Sequence, residues 1–365
     1  MVAGKLGSPE TVGLRCQKEE RGMIMKQTQV HPPLLLGGLA DEAANQKTAM
    51  QQFCAFAAMG LRYYTLRFID AGGGIQNVMQ LEPKGIETIL ELQREYGLSV
   101  SSIGSPIGKV KLLDVNDGTN NRFVPFQEYL QKDVRRACDL ANQFGSKLIR
   151  GFSFYHPRGT DPNEHVAQAV DQIGAIATMC DSYGLTFGLE VEANLIGQTG
   201  KLLGKIYDAI SHPALVLVFD GANLVCQGMS GDQVFEEYLA MKHGMGWIHV
   251  KDYKRPHVHR SGGNGAAAHV DEESLTAFVP ADMGDSGHEA IFRDIRADYP
   301  AIIERVTKRG LPGFFVDLEP HVKGGGQFGG FSGPDGFGVA LRSLCKLLDY
   351  VGLEYHLRGF EDLRG

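Results

Sequence analysis

From His31 onward, short apolar runs alternate with longer amphipathic stretches. This is the pattern of successive parallel βα units rather than of a sandwich or a helix bundle. The apolar runs fall at 34–38, 61–68, 98–103, 147–154, 185–192, 214–220, 246–251 and 313–319. Helical periodicity marks 46–59, 84–96, 126–144, 163–183, 201–211, 233–243, 291–299 and 338–351, with glycine stops at Tyr96-Gly97, Phe144-Gly145 and Tyr183-Gly184. Eight such units predict a single-domain (β/α)8 TIM barrel over residues 32–358. A doubly wound sheet would carry a Gly-rich dinucleotide fingerprint after its first strand, and Leu36-Gly37-Gly38-Leu39 is not one.

Residues 1–31 lack the apolar stretch of a signal peptide and read as a poorly ordered extension; residues 359–365 read as a tail. Extended segments at 253–287 and 322–336, after the seventh and eighth strands, are expected over the barrel mouth. At 365 residues, 43% hydrophobic and 22% charged, the chain can bury a large core without disulfides. Its net charge of -7 offers no basic surface for a phosphate backbone, so nucleic acid is not an expected partner. No run is long enough to span a bilayer. The six scattered cysteines, without a C-x-x-C pair, read as buried free thiols of a reducing, cytoplasmic compartment.

Chemistry is expected at the C-terminal strand ends, where inward side chains of a barrel converge. Gly188-Leu189-Glu190-Val191-Glu192 puts both glutamates on the face opposite its apolar residues. Asp220 ends an apolar run, in phase with Val216 and Val218, and a carboxylate there needs a partner. His249 shares a face with Lys251, and Glu319 shares one with Asp317. Four consecutive strands thus offer Glu190, Asp220, His249 and Glu319. Capping or ion pairing explains any one of them, but has no reason to select this phase on all four. Three carboxylates and an imidazole form an oxygen-rich set for one divalent ion, with Mn²⁺ favoured and Mg²⁺, Co²⁺ or Zn²⁺ as alternatives.

The segments GLEVEAN, VFDGAN, WIHVKD, GDSGH and VDLEPH resemble the xylose-isomerase-like barrel superfamily, in particular its sugar phosphate isomerase/epimerase proteins. The resemblance runs from about Leu34 to Leu357. It implies a metal bound by Glu190, Asp220, His249 and Glu319, with Glu190 and Glu319 also acting as the acid/base pair. The activity it implies is metal-dependent isomerisation or epimerisation by proton abstraction next to a carbonyl of a sugar or sugar derivative. His156, in phase with Arg150, Phe152 and Phe154, is a further catalytic candidate. Arg150, Lys251, Asp252, His321 and Lys109 are candidates for substrate contact, Lys109 through a loop after the third strand that resembles a substrate-side loop of the superfamily.

Three rivals stand beside this reading. A lyase of the C-glycoside deglycosidase type would use the same site on 3-oxo-glycosides and need a small partner subunit, whereas the exposed helix ring would otherwise serve homo-oligomerisation. The endonuclease branch of the superfamily clusters three zinc ions with many histidines. It wants a histidine three residues after the sixth-strand aspartate, where this chain has Asn223, and His257-Val258-His259 is only a faint echo. A non-enzymatic sugar-binding barrel would leave the four groups ion-paired with arginines.

Overall fold

The computed structural model describes Met1 and residues 31–255, 269–271, 275–324 and 329–363. The chain separates into two units, Met1–His31 and Pro32–Gly365. Apart from Met1 and His31, the extension expected over 1–31 lies outside the described residues. So do His257, His259 and part of each long segment expected over the mouth.

Eight parallel strands form one sheet: β1 (Leu35–Gly38), β2 (Tyr63–Leu66), β3 (Ser99–Ile107), β4 (Leu148–Gly151), β5 (Thr186–Glu190), β6 (Leu215–Asp220), β7 (Met245–Val250) and β8 (Phe315–Leu318). Hydrogen bonding runs β1-β8-β7-β6-β5-β4-β3-β2, and a parallel bridge between Leu39 and Thr65 joins the two end strands into a nearly closed barrel. Each expected apolar run becomes one of these strands, because strands covered by helices outside and side chains inside are buried on both faces.

The surrounding helices are α1 (Ala49–Ala58), α2 (Pro83–Glu95), α3 (Arg135–Phe144), α4 (Val166–Ser182), α5 (Gly200–Ile210), α6 (Gly231–Met241), α7 (His288–Lys308) and α8 (Gly333–Val351). Their starts follow local chemistry. Thr48 accepts from the Gln51 N–H, Thr199 from the Leu202 N–H, and Ser230 forms a capping box with Gln233. Two boundaries differ most from the periodicity. The stretch expected as one helix over 126–144 begins with Phe126–Tyr129 and a π-helical turn, Leu130–Val134, before α3. The helix expected to stop at residue 299 instead runs through Pro300 to Lys308. Buried Ile302, Ile303 and Val306 continue the apolar stripe of Ile291, Ile295 and Tyr299, and this packing outweighs the lost backbone bond.

Cys138 and Cys180 are buried, whereas Cys54 is exposed on α1 and Cys226 and Cys345 are half-buried, so burial of all the thiols does not hold. No helix among the described residues is long and apolar enough to cross a membrane.

Candidate active site

The strand ends deliver four groups to one point. Glu190 closes β5, Asp220 closes β6, His249 lies one residue before the end of β7, and Glu319 follows the last residue of β8. One ligand atom from each lies within 4.8 Å of the others, and none of the four residues is more than 4% exposed. The layer beneath is built from Gly188 and Trp247. A Cβ on Gly188 would sit 2.0 Å from the indole, so only glycine leaves room for that ring. The Trp247 N–H donates to His249 Nε2 (3.2 Å), which turns Nδ1 toward Glu190 Oε1 at 3.0 Å and Glu319 Oε2 at 3.5 Å.

Three cations stand over these carboxylates. Arg67 Nη1 is 2.6 Å from Glu319 Oε1. Arg150 Nη1 lies 3.5 Å from Glu190 and 3.6 Å from Glu319. Lys251 Nζ is 3.0 Å from Asp220 Oδ2, though outside hydrogen-bonding geometry, and 3.5 Å from Glu319 Oε2. Asp220 has a double role, since its Oδ1 accepts from the N–H groups of Ala222 (3.0 Å) and Asn223 (3.3 Å) and so caps the short helix Gly221–Val225. Capping takes one oxygen and leaves the other facing the cluster.

Burial and charge pull the titrations apart. Burial raises the Asp220 carboxyl to about 6, reinforced by Glu319 and Glu190 and only partly offset by Lys251. Burial would raise Glu190 and Glu319 as well. His249 and Arg150 nevertheless hold Glu190 below its ordinary value, and Lys251, His249 and Arg67 hold Glu319 well below. Burial disfavours charge on the His249 imidazole, but Glu190 and Glu319 outweigh it and push the pKa up to about 10. The indole bond, which needs a bare Nε2, opposes that second proton.

The donor set fits a divalent cation on one observation. Among the described residues, Glu190 Oε2, Asp220 Oδ2 and Glu319 Oε2 are buried without a hydrogen-bond partner. Arg150 and Lys251 stand within 3.5 Å of these oxygens without bonding to them, and three such oxygens around one imidazole form a hard, anionic donor set. Neither metal-capable group among the described residues holds more than one histidine, unlike the histidine-rich zinc cluster of the nuclease rival.

Sequence reasoning missed the brace behind Glu319. Arg67, in phase with Thr65 and Tyr63 at the end of β2, is gripped by Asp41 through two 3.1 Å contacts and by Glu42 at 3.3 Å. Both acids lie in a 3-10 helix, Ala40–Ala43, after β1. Glu42 also accepts from the His321 backbone N–H (2.8 Å) and from the Ser332 hydroxyl (3.1 Å), tying the end of β8 to the start of α8. Only the in-phase position of Arg67 signalled this in the sequence.

A cleft of about 970 Å³ opens above the cluster. Arg150, Lys251, His321 and Lys109 line it, the last paired with Glu192 at 3.1 Å and set over the Phe152 ring. Asp317, in phase with Glu319, lies lower in the barrel and accepts from Thr65 and Ser101. Asp252, expected to contact substrate, does not line this cleft. Its two oxygens are taken by the N–H groups of Tyr253 (2.9 Å), Ser286 (3.0 Å) and Gly284 (3.0 Å), which anchor the Gly284–His288 turn. A Cβ at Gly284 would meet that carboxylate at 2.1 Å. His156 is not brought to the cluster either, and lines a second chamber with Asp117 and Gln198. Phe154 has φ 70°, and this left-handed residue breaks the alternation that counted His156 in phase with Arg150.

The sequence model of a family described as "Xylose isomerase-like TIM barrel" matches residues 53–347. No curated protein sequence matches. A xylose isomerase-like TIM barrel protein from Mycobacterium smegmatis in complex with magnesium superposes with a TM-score of 0.57 at 17% identity, over 87% of this chain and 96% of that one. The probable 3-DHS dehydratase from Bacillus anthracis gives 0.56 at 16% identity, over 86% and 99%. D-allulose 3-epimerase from Methylomonas sp. gives 0.52 at 15% identity, over 87% and 99%. At such identities these likenesses speak for the fold. With eight parallel strands around a buried carboxylate and histidine cluster, and a family match over most of its length, the chain belongs to the xylose isomerase-like TIM barrel family.

Proposed function

We propose that the protein is a divalent-metal-dependent isomerase or epimerase acting next to a carbonyl of a sugar or sugar derivative. The observation that carries this is the set of three buried carboxylate oxygens around His249 that make no hydrogen bond, beneath a cleft that Glu319 lines. Glu190, Asp220, His249 and Glu319 would hold the ion, with Mn²⁺ the favoured occupant. Such an ion supplies Lewis acidity to a substrate carbonyl and so acidifies the adjoining C–H. Glu190 and Glu319 approach from different strands, one removing that proton and the other returning one. Arg150, next to both, orients the oxygens of the reacting unit. Lys251 donates to negative charge developing beside Asp220.

A second reading is elimination, favoured by Lys251, whose ammonium beside Glu319 could protonate a departing hydroxyl or glycosidic group after the same proton abstraction. A dehydratase or deglycosidase would work in this way. The two share a first step, so one experiment tests both. Metal-loaded protein is incubated in D₂O with ketoses, aldoses and 3-oxo-glycosides, and NMR reads deuterium at the carbon beside the carbonyl. Exchange with a new epimer or isomer supports the first reading, and exchange with loss of a substituent supports the second. No exchange on any member contradicts both.

A further inference from the structure

Beside the main cleft lies a second chamber of about 190 Å³ between the loops that follow β3, β4 and β5. Tyr155 and Asn121 line both spaces, so the chamber adjoins the cleft. We propose that this chamber is a subsite for a second, uncharged sugar unit, and that the substrate is a disaccharide or glycoside whose reacting ring lies over the carboxylate cluster. The proposal rests on the reading that the reacting unit is a carbohydrate.

Size is the first argument. A cavity of 190 Å³ holds the volume of about six waters at ~30 Å³ each, the scale of one pyranose ring. The main cleft, at about 970 Å³, stands near the top of the range of about 300–1,000 Å³ that suits drug-sized ligands, and a single ring leaves most of it unfilled.

The lining is the second. Gln198 is only 6% exposed, its backbone carbonyl accepts from Gln227 Nε2 at 2.9 Å, and its carboxamide lines the chamber without a hydrogen-bond partner among the described residues. A carboxamide open to a cavity offers both a donor and an acceptor to a ligand. His156 Nδ1 lies 3.1 Å from the Pro157 carbonyl and 3.4 Å from the Thr160 hydroxyl, and Nε2 has no partner among the described residues.

The third is that the chamber is held in shape before any ligand arrives. Asp117 is fixed by Lys111 Nζ at 2.6 Å, by the Thr119 hydroxyl at 2.8 Å and N–H at 3.1 Å, and by the Arg158 N–H at 3.3 Å. Tyr155 is laced to the β3 loop, donating from its N–H to Val110 O and accepting at its O from Leu112 N, both at 3.0 Å. Preorganised polar groups of this kind lower the cost of binding. Charge favours an uncharged guest: the Asp117 carboxylate lines the chamber, Lys111 is consumed by it, and Arg158, the cation that also lines it, is exposed.

The test is calorimetric titration of Mn²⁺-loaded protein with maltose, cellobiose, lactose and sucrose, against glucose, galactose, fructose and glucose 6-phosphate. At least one disaccharide should bind about tenfold more tightly than its component sugars, the yield of one or two net hydrogen bonds. Gln198→Leu and His156→Phe should each remove that advantage while monosaccharide affinity stays within about twofold. The subsite is overturned if no disaccharide outbinds its components, if glucose 6-phosphate outbinds every disaccharide, or if both variants weaken single and double sugars alike. Metal analysis of the same sample separates the two readings. Absence of bound metal contradicts the proposed function, whereas bound metal without a disaccharide advantage contradicts the subsite alone.

Discussion

Arg67 Nη1 stands 2.6 Å from Glu319 Oε1, which leaves Oε2 as the oxygen of that carboxylate facing His249 and Lys251. A guanidinium held by Asp41 and Glu42 therefore sets how the eighth-strand glutamate meets the centre.

Arg67→Ala should strip three buried carboxylates of a shared partner. Breaking a buried ion pair in this way costs about 3–5 kcal/mol, so the midpoint of urea unfolding should fall steeply. Arg67→Lys should recover only part, because an ammonium lacks the planar fork that meets Asp41 through two atoms. An unchanged midpoint in the alanine variant would remove Arg67 from the account.

Asp252 should behave as a loop anchor. Asp252→Ala frees three N–H groups, so melting should drop by the equivalent of about 1–3 kcal/mol while metal content per chain stays as in the wild type. Loss of sugar binding with unaltered melting would restore a substrate role to this residue.

Stability of the metal-free chain should depend on pH in a definite direction. His249 binds its proton more tightly when folded, so its contribution is full below the ordinary 6.5 and is lost as pH rises through about 10. Asp220 acts in the same sense, its contribution present below 3.8 and lost as pH rises through about 6. Glu190 and Glu319 act oppositely, being lowered, and lose their contribution as pH falls below the ordinary carboxylate range. Metal-free protein should therefore melt progressively lower between pH 7 and 10. Mn²⁺ should protect more strongly across that window, because ligands must shed protons to bind it. A flat profile with equal Mn²⁺ protection throughout would contradict this.

Pro300 tests why α7 is long. Pro300→Ala restores an N–H within a helix whose apolar stripe already continues to Val306. A gain approaching ~3 kcal/mol is the upper limit, since the native helix has adapted to the ring. A higher melting temperature supports packing as the cause of the extension, and a lower one would show that the proline itself shapes α7.

The barrel was legible because parallel strands buried on both faces must be written as apolar runs, and eight of them admit few other architectures. The centre was legible for a related reason: Glu190, Asp220, His249 and Glu319 interrupt four such runs at the same inward phase. What escaped was what phase does not encode. Asp41 and Glu42 reach Arg67 from a 3-10 helix, where neither period applies. Asp252 is out of phase with His249 and Lys251, a sign that it faces away from the centre. His156 lies beyond a residue with positive φ, where counting by twos no longer tracks direction. Charge neighbours across the barrel, such as Arg150 against both glutamates, come from strand order and closure rather than from any local pattern.

Three carboxylates and His249 are proposed to hold one divalent ion, which elemental analysis of wild type beside Asp220→Ala and Glu319→Ala, with melts before and after chelator, would reveal. A single divalent ion per wild-type chain is expected, lost in both variants, with a melting temperature that chelation lowers in the wild type only. Wild-type protein purified without metal, taking up none when supplied with Mn²⁺ and melting unchanged with chelator, would contradict it and leave the cluster as an ion-paired core.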